Sequence, residues 1–449
     1  MLSLVQPRHS YAPASGRGHV YSPTSLWTVA ARLMAAGAHD VEIIDLNVTP
    51  GVSPQGPSLG FNVVGSPYLA QVQDRCSAWA RERPALVGGQ VVAGLTDPQL
   101  RAIFGDTAVS GLDDGVLARW AGVSPGALPP AAAVSLVPVW EGLSDQRFRD
   151  YFAHTEASFF LSHGCRYRCS FCAAAKGRRE LYRERPALQR DLLYLARRSR
   201  ALGLEELTLY LCNLDLFQTP AGLRSFAACL AETRSEVPEL RFSLRGLATP
   251  ASFVHCASHH PELVDTLVRL GLHTVGFGVD GGTPEVWRSV GKHHNREDRN
   301  LQALELARRR FGLTPEVLMV FGHPADTRAS LATAVAFAED MHQHVRATPR
   351  PHVAKSLIPG SADWSTPEKQ PVVRALLADP ALFQALDFTA LPSVLTHPDP
   401  EHRALVEEAF LALCAHEACT TLPVQALAPG MTAAERAEVR RANEGRYDH

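Results

Sequence analysis

The stretch Ser162-His163-Gly164-Cys165-Arg166-Tyr167-Arg168-Cys169-Ser170-Phe171-Cys172 decides how this chain is read. It follows a short apolar run, Ser158–Ser162, whose pattern predicts a strand, so the three cysteines lie on a loop at that strand's carboxyl end. Their spacing is Cys-x3-Cys-x2-Cys. Three thiolates this close can each hold one iron of a four-iron cluster and leave the fourth iron without a protein ligand. An open coordination position is what a reactive metal centre needs and what a closed structural site lacks. A zinc knuckle is the competing reading. Zinc normally takes a fourth Cys or His at finger-like spacing, and His163 stands two residues before Cys165 in a glycine-containing turn.

Outward from this loop, strand-like and helix-like segments alternate. Strands are expected at Ser158–Ser162, Leu207–Leu211, Arg241–Leu244, Thr274–Val279, Glu316–Phe321 and His352–Ile358. Helical stretches such as Leu188–Leu202, Leu223–Thr233, Pro261–Leu270 and Ala329–Met341 lie between them. This alternation predicts a partial (β/α)6 barrel over residues 155–362, with its chemistry at the carboxyl ends of the strands. Residues 363–449 are rich in Ala and Leu and read as a helical C-terminal region.

In this setting the triplet resembles that of the radical S-adenosylmethionine (SAM) superfamily, and further segments match that family in the same order. The resemblance implies that the open iron is chelated by the amino and carboxylate groups of SAM. One electron then cleaves the sulfonium bond and releases a 5′-deoxyadenosyl radical. Phe171, just before Cys172, matches an aromatic packed near the adenine. Leu207-Thr208-Leu209-Tyr210-Leu211-Cys212-Asn213-Leu214-Asp215 resembles the second strand and its end, where Asn213 and Asp215 would accept from the methionyl amine. Arg245, in Arg241-Phe242-Ser243-Leu244-Arg245-Gly246, matches a residue that contacts the SAM carboxylate, a role suited to a guanidinium. Gly276 and Asp280 fall in a glycine-rich segment similar to the family's fourth strand, with Asp280 where a Glu is usual. Val320-Phe321-Gly322-His323-Pro324-Ala325-Asp326-Thr327 resembles a turn before a helix, with Asp326 or Thr327 available as its cap, and Ile358-Pro359-Gly360-Ser361 resembles the turn after the sixth strand.

The first 125 residues form a separate alternation. Leu2–Val5, Val41–Leu46, Phe61–Gly65, Ala85–Gly89 and Thr107–Gly111 read as strands, with helices at Pro23–Gly37 and Asp97–Phe104. Buried parallel strands joined by helices make an open doubly wound, flavodoxin-like sheet. Composition shifts to Pro, Ala and Gly after Gly122, so 126–154 reads as a linker. An open α/β domain before this barrel resembles the cobalamin-binding subclass of the superfamily. The resemblance implies that Ser66, Gly88, Gly89 and Gly111 line the slot for the cobalamin nucleotide tail. No Asp-x-His-x-x-Gly occurs, so cobalt would lack a histidine ligand from that motif. The lower face of cobalt would be met by a non-histidine residue from the loop Arg8–Gly16 or by nothing, with His9 and His19 read as loop histidines.

Size and charge narrow the function classes. A chain of 449 residues accommodates two or three domains, and 44 Lys and Arg against 46 Asp and Glu give a net charge of −2. With no basic block, a nucleic-acid groove is not expected, because its affinity comes mainly from phosphate neutralisation. No apolar stretch reaches the roughly 18 residues of a membrane span, and the first residues lack a signal-peptide pattern. Nine cysteines, three of them within residues 165–172, suit a reducing compartment and a metal site rather than a disulfide framework. The expectation is a cytoplasmic radical SAM enzyme with a [4Fe–4S] cluster, SAM and cobalamin. It would methylate an unactivated carbon of a small molecule, with electrons from a flavodoxin or ferredoxin and no membrane partner. Rival readings are a cobalamin-independent rearrangement, cyclisation or aminocarboxypropyl transfer, and a non-catalytic iron–sulfur or zinc protein. Cys212 reads as a small buried hydrophobe or a site thiol, and Cys414 with Cys419 as a thiol pair or soft-ligand site.

Overall fold

Near-continuous apolar runs bury strands on both faces, and the helices between them supply the covering layers. The computed structural model describes residues 1–9, 22–65, 68–69, 85–106, 108–153, 156–174, 179–355 and 357–446. The front part runs β1 (Leu2–Gln6), α1 (Thr24–Ala35), β2 (Val41–Asp45), β3 (Ser58–Asn62), β4 (Ala85–Gly88), α2 (Asp97–Phe104), β5 (Ala108–Ser110) and α3 (Asp114–Ala121). Its strands pair in parallel in the order β2-β1-β3-β4-β5. This is the flavodoxin-like order, with its switch point between β1 and β3. The third strand lies three residues earlier than its apolar run predicts. Ser58 and Gly60 disguise its start, yet Leu2↔Ser58 to Val5↔Phe61 is the pairing that aligns it with β1.

The expected linker is folded. It contains α4 (Val137–Glu141) and α5 (Asp145–Phe152). Trp27 of α1 meets the edges of Trp140 and Tyr151 at ring-centroid distances of 6.1 and 5.0 Å. Tyr151 donates a 2.8 Å hydrogen bond to Asp45 at the end of β2. These aromatic contacts make the segment a bracket on the front sheet, and only the first stretch after Gly122 retains the composition of a linker.

The second sheet comprises β6 (Ala157–Phe160), β9 (Glu206–Cys212), β10 (Arg241–Ala248), β11 (Leu272–Gly278), β12 (Thr314–Phe321) and β13 (Thr348–Val353). All pairings are parallel and in sequential order, with β6 and β13 at the edges. A two-residue antiparallel ladder, β7 (Ser162–His163) with β8 (Leu181–Tyr182), interrupts the run after β6. The covering helices are α6 (Arg185–Ala201), α7 (Pro220–Glu236), α8 (Pro250–His259), α9 (Pro261–Arg269), α10 (Pro284–Ser289), α11 (Glu297–Glu305) and α12 (Arg328–Val345). Thr327 caps α12 in a reciprocal arrangement with Ser330, and Asp326 accepts from the amides of Gly322 and His323. The sixth strand departs from expectation: it starts at Thr348, not His352. Pro349 and Pro351 obscure it, and an edge strand tolerates them because one side needs no hydrogen-bond donors.

The C-terminal region is α13 (Gln370–Ala378), β14 (Ala390–Leu391), α14 (Pro400–Cys414), β15 (Val424–Gln425) and α15 (Ala433–Ala442). Contrary to the all-helical expectation, β14 and β15 form a small parallel pair. Two cores result. In β1, Leu4 joins a core with Trp27, Trp140, Phe148 and the barrel. Its neighbour Val5 points the other way, into a core with Ile44, Phe61 and the C-terminal Trp364, Phe383 and Val424. The front sheet is therefore sandwiched between the barrel side and the tail. No described helix is long and apolar enough to cross a membrane.

Candidate functional site

The triplet loop is an excursion closed at its base by the β7–β8 ladder, where Ser162 faces Tyr182 and His163 faces Leu181. Gly164 has φ +97°, and a Cβ there would lie 2.7 Å from the carbonyl oxygen of Arg179 on the returning arm. Only glycine fits that crossing. Ser162 donates to Glu180 at 2.5 Å and so locks the two arms. Farther out, the amide of Arg166 donates to Gln218 (2.9 Å), that of Ser170 to the carbonyl of Val290 (2.9 Å), and that of Ala362 to the carbonyl of Ser170 (3.0 Å). Tyr167 stacks on His294 with ring centroids 3.7 Å apart. Groups following strands two, four and six thus hold the loop in place.

Cys165, Cys169 and Cys172 line one cavity of about 350 Å³. Phe171, Tyr167, His294, Thr249, Gly278, Asp280 and Lys292 share it, with an apolar wall of Leu214, Leu247, Leu318, Val320 and Phe388. Burial pushes the Cys165 and Cys169 thiols up, and Lys292 pulls the Cys169 thiol back down. Lys292 is fully buried. It donates to the carbonyl of Gly278 (2.7 Å) and to the carboxylate of Asp280. Burial lowers its pKa to about 8, opposed by the negative charge of Cys169, Cys172 and Asp215. Asp280 itself sits at φ +43°, a left-handed conformation unusual for a non-glycine residue.

These residues fit an iron–sulfur cluster and a charged nucleoside better than a single ion. Among the described residues no three His, Cys, Asp or Glu groups converge on one metal position. Three thiols around a cavity suit three corners of a cluster, whereas zinc needs ligands meeting at one tetrahedral point. A buried ammonium beside thiols also answers the charge that metal-bound thiolates carry.

The remaining predicted SAM residues divide. Phe171 and Asp280 line the cavity, and Phe171 packs 5.1 Å from the ring of His323. Asn213 is buried at the end of β9, and both its amide oxygen and nitrogen lack a protein partner. Such an orphaned amide is costly unless a ligand or water answers it. Asp215 is occupied instead: Thr249 donates from its hydroxyl (2.9 Å) and amide (3.2 Å), and Ser252 donates to the same carboxylate. It braces the end of β9 against the start of α8. Arg245 is likewise engaged, by Glu316 at 2.7 Å and Glu156 at 3.1 Å, and does not line the cavity. Gly276 lies deeper in the sheet, against Leu247, Glu316 and Leu318.

Sequence reasoning missed Lys292, His294 and Tyr167. A signal was present for the first. The chain contains only four lysines, Lys176, Lys292, Lys355 and Lys369, among 44 basic residues. In a chain that otherwise uses arginine, a lysine marks a place where a compact ammonium is needed.

A second cavity, of about 540 Å³, opens at the front sheet's switch point. Gln6 at the end of β1, Val64 and Tyr68 after β3, and the first turns of α1 face Ser158, Phe160, His163 and Cys212 of the barrel edge. Thr24 ties the two sides with a 3.1 Å hydrogen bond to the carbonyl of Ser158. Cys212 is half-buried, and desolvation pushes its thiol up to about 12. The glycines expected to line a cobalamin slot do not border this cavity. Gly89 has φ +112°, and a Cβ there would lie 2.4 Å from the carbonyl oxygen of Val63. At Gly111 a Cβ would meet Leu86, whereas at Gly88 it would meet nothing. Packing thus accounts for two of the three. Ser66, residues 10–16 of the expected cobalt-facing loop and His19 lie outside the described residues. His9 is buried, its amide donating to Asn47 (2.7 Å) and its ring set edge-on to Tyr68.

Comparison with known proteins adds an independent finding. Residues 159–338 match the sequence profile of the radical SAM superfamily, and no curated protein matches the chain. The radical SAM methyltransferase TsrM from Kitasatospora setae, solved with tryptophan substrate and the SAM analogue aza-SAM, is 17% identical. It superposes with a TM-score of 0.64 over 94% of this chain and 91% of its own. The same enzyme has been solved with cobalamin and a [4Fe-4S] cluster. The cobalamin-dependent SAM radical enzyme OxsB is 13% identical, with a TM-score of 0.56 over 75% of this chain and 51% of its own. At these identities the likeness is one of fold. The profile match starts in β6 and ends in α12, across the triplet loop, so residues 159–338 carry the radical SAM pattern, and nearly the whole length of the chain shares the fold of a radical SAM methyltransferase that has been solved with cobalamin bound.

Proposed function

We propose that this chain is a cobalamin-dependent radical SAM methyltransferase that acts on an unactivated carbon of a small molecule. In this reading 1–125 is the cobalamin-binding unit, 126–154 the bracket, 155–362 the radical SAM barrel, and 363–449 the segment that closes the far side. One observation carries the reading: Cys165, Cys169 and Cys172 line a single cavity together with a buried ammonium and aromatic rings. When bound, a four-iron cluster supplies an electron to the sulfonium of SAM, and cobalamin supplies a methyl group.

The chain's own residues hold and shield. The three thiols hold the cluster. Lys292, with two of its three N–H groups on Gly278 and Asp280, keeps one for the SAM carboxylate, the role that the family resemblance gives to Arg245. Asn213 offers its unpartnered amide to the methionyl end. Phe171 and Tyr167 flank the adenosine, and the apolar wall from Leu247 to Phe388 excludes water from a reactive carbon centre. The switch-point cavity takes part of the corrinoid, with His163 and Cys212 on its barrel side. Electrons come from a small donor such as flavodoxin or ferredoxin.

The test is anaerobic reconstitution with iron and sulfide, followed by dithionite and SAM. Formation of 5′-deoxyadenosine supports the radical SAM reading, and its absence from cluster-loaded protein overturns it. Cobalamin is then supplied, and the protein is desalted. A retained corrinoid spectrum supports methyl transfer. Cluster activity without retained corrinoid overturns that part and leaves cobalamin-independent radical chemistry.

A further inference from the structure

Far from both cavities in sequence, α14 ends at Cys414 and the chain turns back at once. The amide of Cys419 donates to the carbonyl of His416 (2.9 Å), and that of Ala418 donates to the ring of His416 (3.1 Å). His342 of α12 packs edge-on against His416 at 4.6 Å and pairs with Glu417 at 3.8 Å, which pins the turn from outside. From the barrel side Arg350 of β13 reaches Thr420 while pairing with Glu316 at 3.0 Å. The turn brings the two sulfurs into hydrogen-bond contact, and Cys419 also accepts from the amide of Thr421. Both cysteines are partly exposed.

We propose that Cys414 and Cys419 are a dithiol–disulfide couple, a modification site that takes a low-molecular-weight disulfide such as oxidised glutathione. The Cys414 thiol, the Thr421 amide and the Arg350 guanidinium all favour a thiolate at Cys419, lowering its pKa to about 6. The Cys419 thiolate attacks one sulfur of glutathione disulfide, forming a mixed disulfide and releasing one glutathione thiolate. Cys414 then loses its proton to solvent and attacks the Cys419 sulfur, releasing the second glutathione. The protein pair is oxidised by two electrons, and one glutathione disulfide is reduced to two thiols. With only four residues between the partners, closing the loop costs little chain entropy.

The site can be read without any turnover assay. Arg403 and Arg436 bound a tryptic peptide, 404–436, whose only cysteines are Cys414 and Cys419. The reconstituted full-length chain is incubated anaerobically with oxidised glutathione, alkylated, digested and weighed. The expected result is an unalkylated peptide lighter by two hydrogens. Cys414→Ser should stop at a stable glutathione adduct on Cys419, and Cys419→Ser should give neither product. At pH 6 Cys419 should react with iodoacetamide about tenfold faster than a cysteine in an unstructured peptide, the larger thiolate fraction outweighing its lower nucleophilicity. A wild-type peptide that stays doubly alkylated, or an adduct on Cys414, overturns the assignment.

Discussion

At the carboxyl ends of the barrel strands the chain places thiols and a buried ammonium around one cavity, with an orphaned amide at Asn213 next to its lining residue Leu214. At the carboxyl ends of the front strands it places glycines of which packing already requires two, Gly89 and Gly111, together with small polar groups around a cavity facing the barrel. In both sheets a cavity opens beyond the carboxyl ends of parallel strands, the place where such sheets commonly take ligands. They differ in how far residue type reveals the ligand. A thiol triplet has few structural reasons to exist, so its presence is informative. A glycine after a strand has many, and at Gly89 the nearby carbonyl of Val63 supplies one.

The comparison breaks most visibly at the triplet. Alanine at Cys165, Cys169 or Cys172 should abolish cluster loading and bring 5′-deoxyadenosine formation to background, measured by iron content and chromatography. Cys212→Ala, on the other cavity, should leave the cluster intact. If it does not, the two cavities are one functional unit. The next effect is at Lys292. Lys292→Met leaves the Asp280 carboxylate buried without its partner, and breaking such a pair costs about 3–5 kcal/mol. Adding Asp280→Asn should recover most of that loss in urea unfolding.

In the front sheet, Gly89→Ala should cost about 3 kcal/mol through its left-handed φ and its clash with Val63. Gly88→Ala should cost less than about 1 kcal/mol, because its Cβ enters open space. Denaturant midpoints check both, and corrinoid affinity in Gly88→Ala sharpens the comparison, since loss of binding without loss of stability would mark a ligand contact. The last prediction concerns Asp45, whose carboxyl is raised to about 6 by burial despite donors from Asn47 and Tyr151. Its folded pKa exceeds its unfolded value, so its contribution is fully present below about pH 4 and is lost as pH rises through 6. Relative to Asp45→Asn, the wild type should lose about 2–3 kcal/mol between pH 4 and pH 7. A flat difference across that range would show that the carboxyl is not desolvated.

Much of the fold is legible in local pattern. The alternation of apolar runs, the placement of the triplet after β6 and the cap at Thr327 all follow from it, because strand periodicity and capping depend on nearby residues. The elements that local pattern misreads lie where tertiary context overrides local preference. Pro349 and Pro351 disguise an edge strand, and the segment after Gly122 has a linker's composition although Trp140 and Tyr151 pack it against Trp27. Arg245 and Asp215 illustrate the same limit within the site. Each has the right chemistry at a plausible strand position, yet Glu316 and Glu156 occupy the first, and Thr249 and Ser252 the second.

By itself, then, the sequence determined the kind of chemistry, since closely spaced thiols constrain metal choice through ligand number and type, and it determined the order of the two sheets through hydrophobic period. Only the tertiary structure decided which polar groups remain available to a ligand. Availability is what is left after charged and hydrogen-bonding neighbours have satisfied one another, and those neighbours come from strands and helices tens of residues apart.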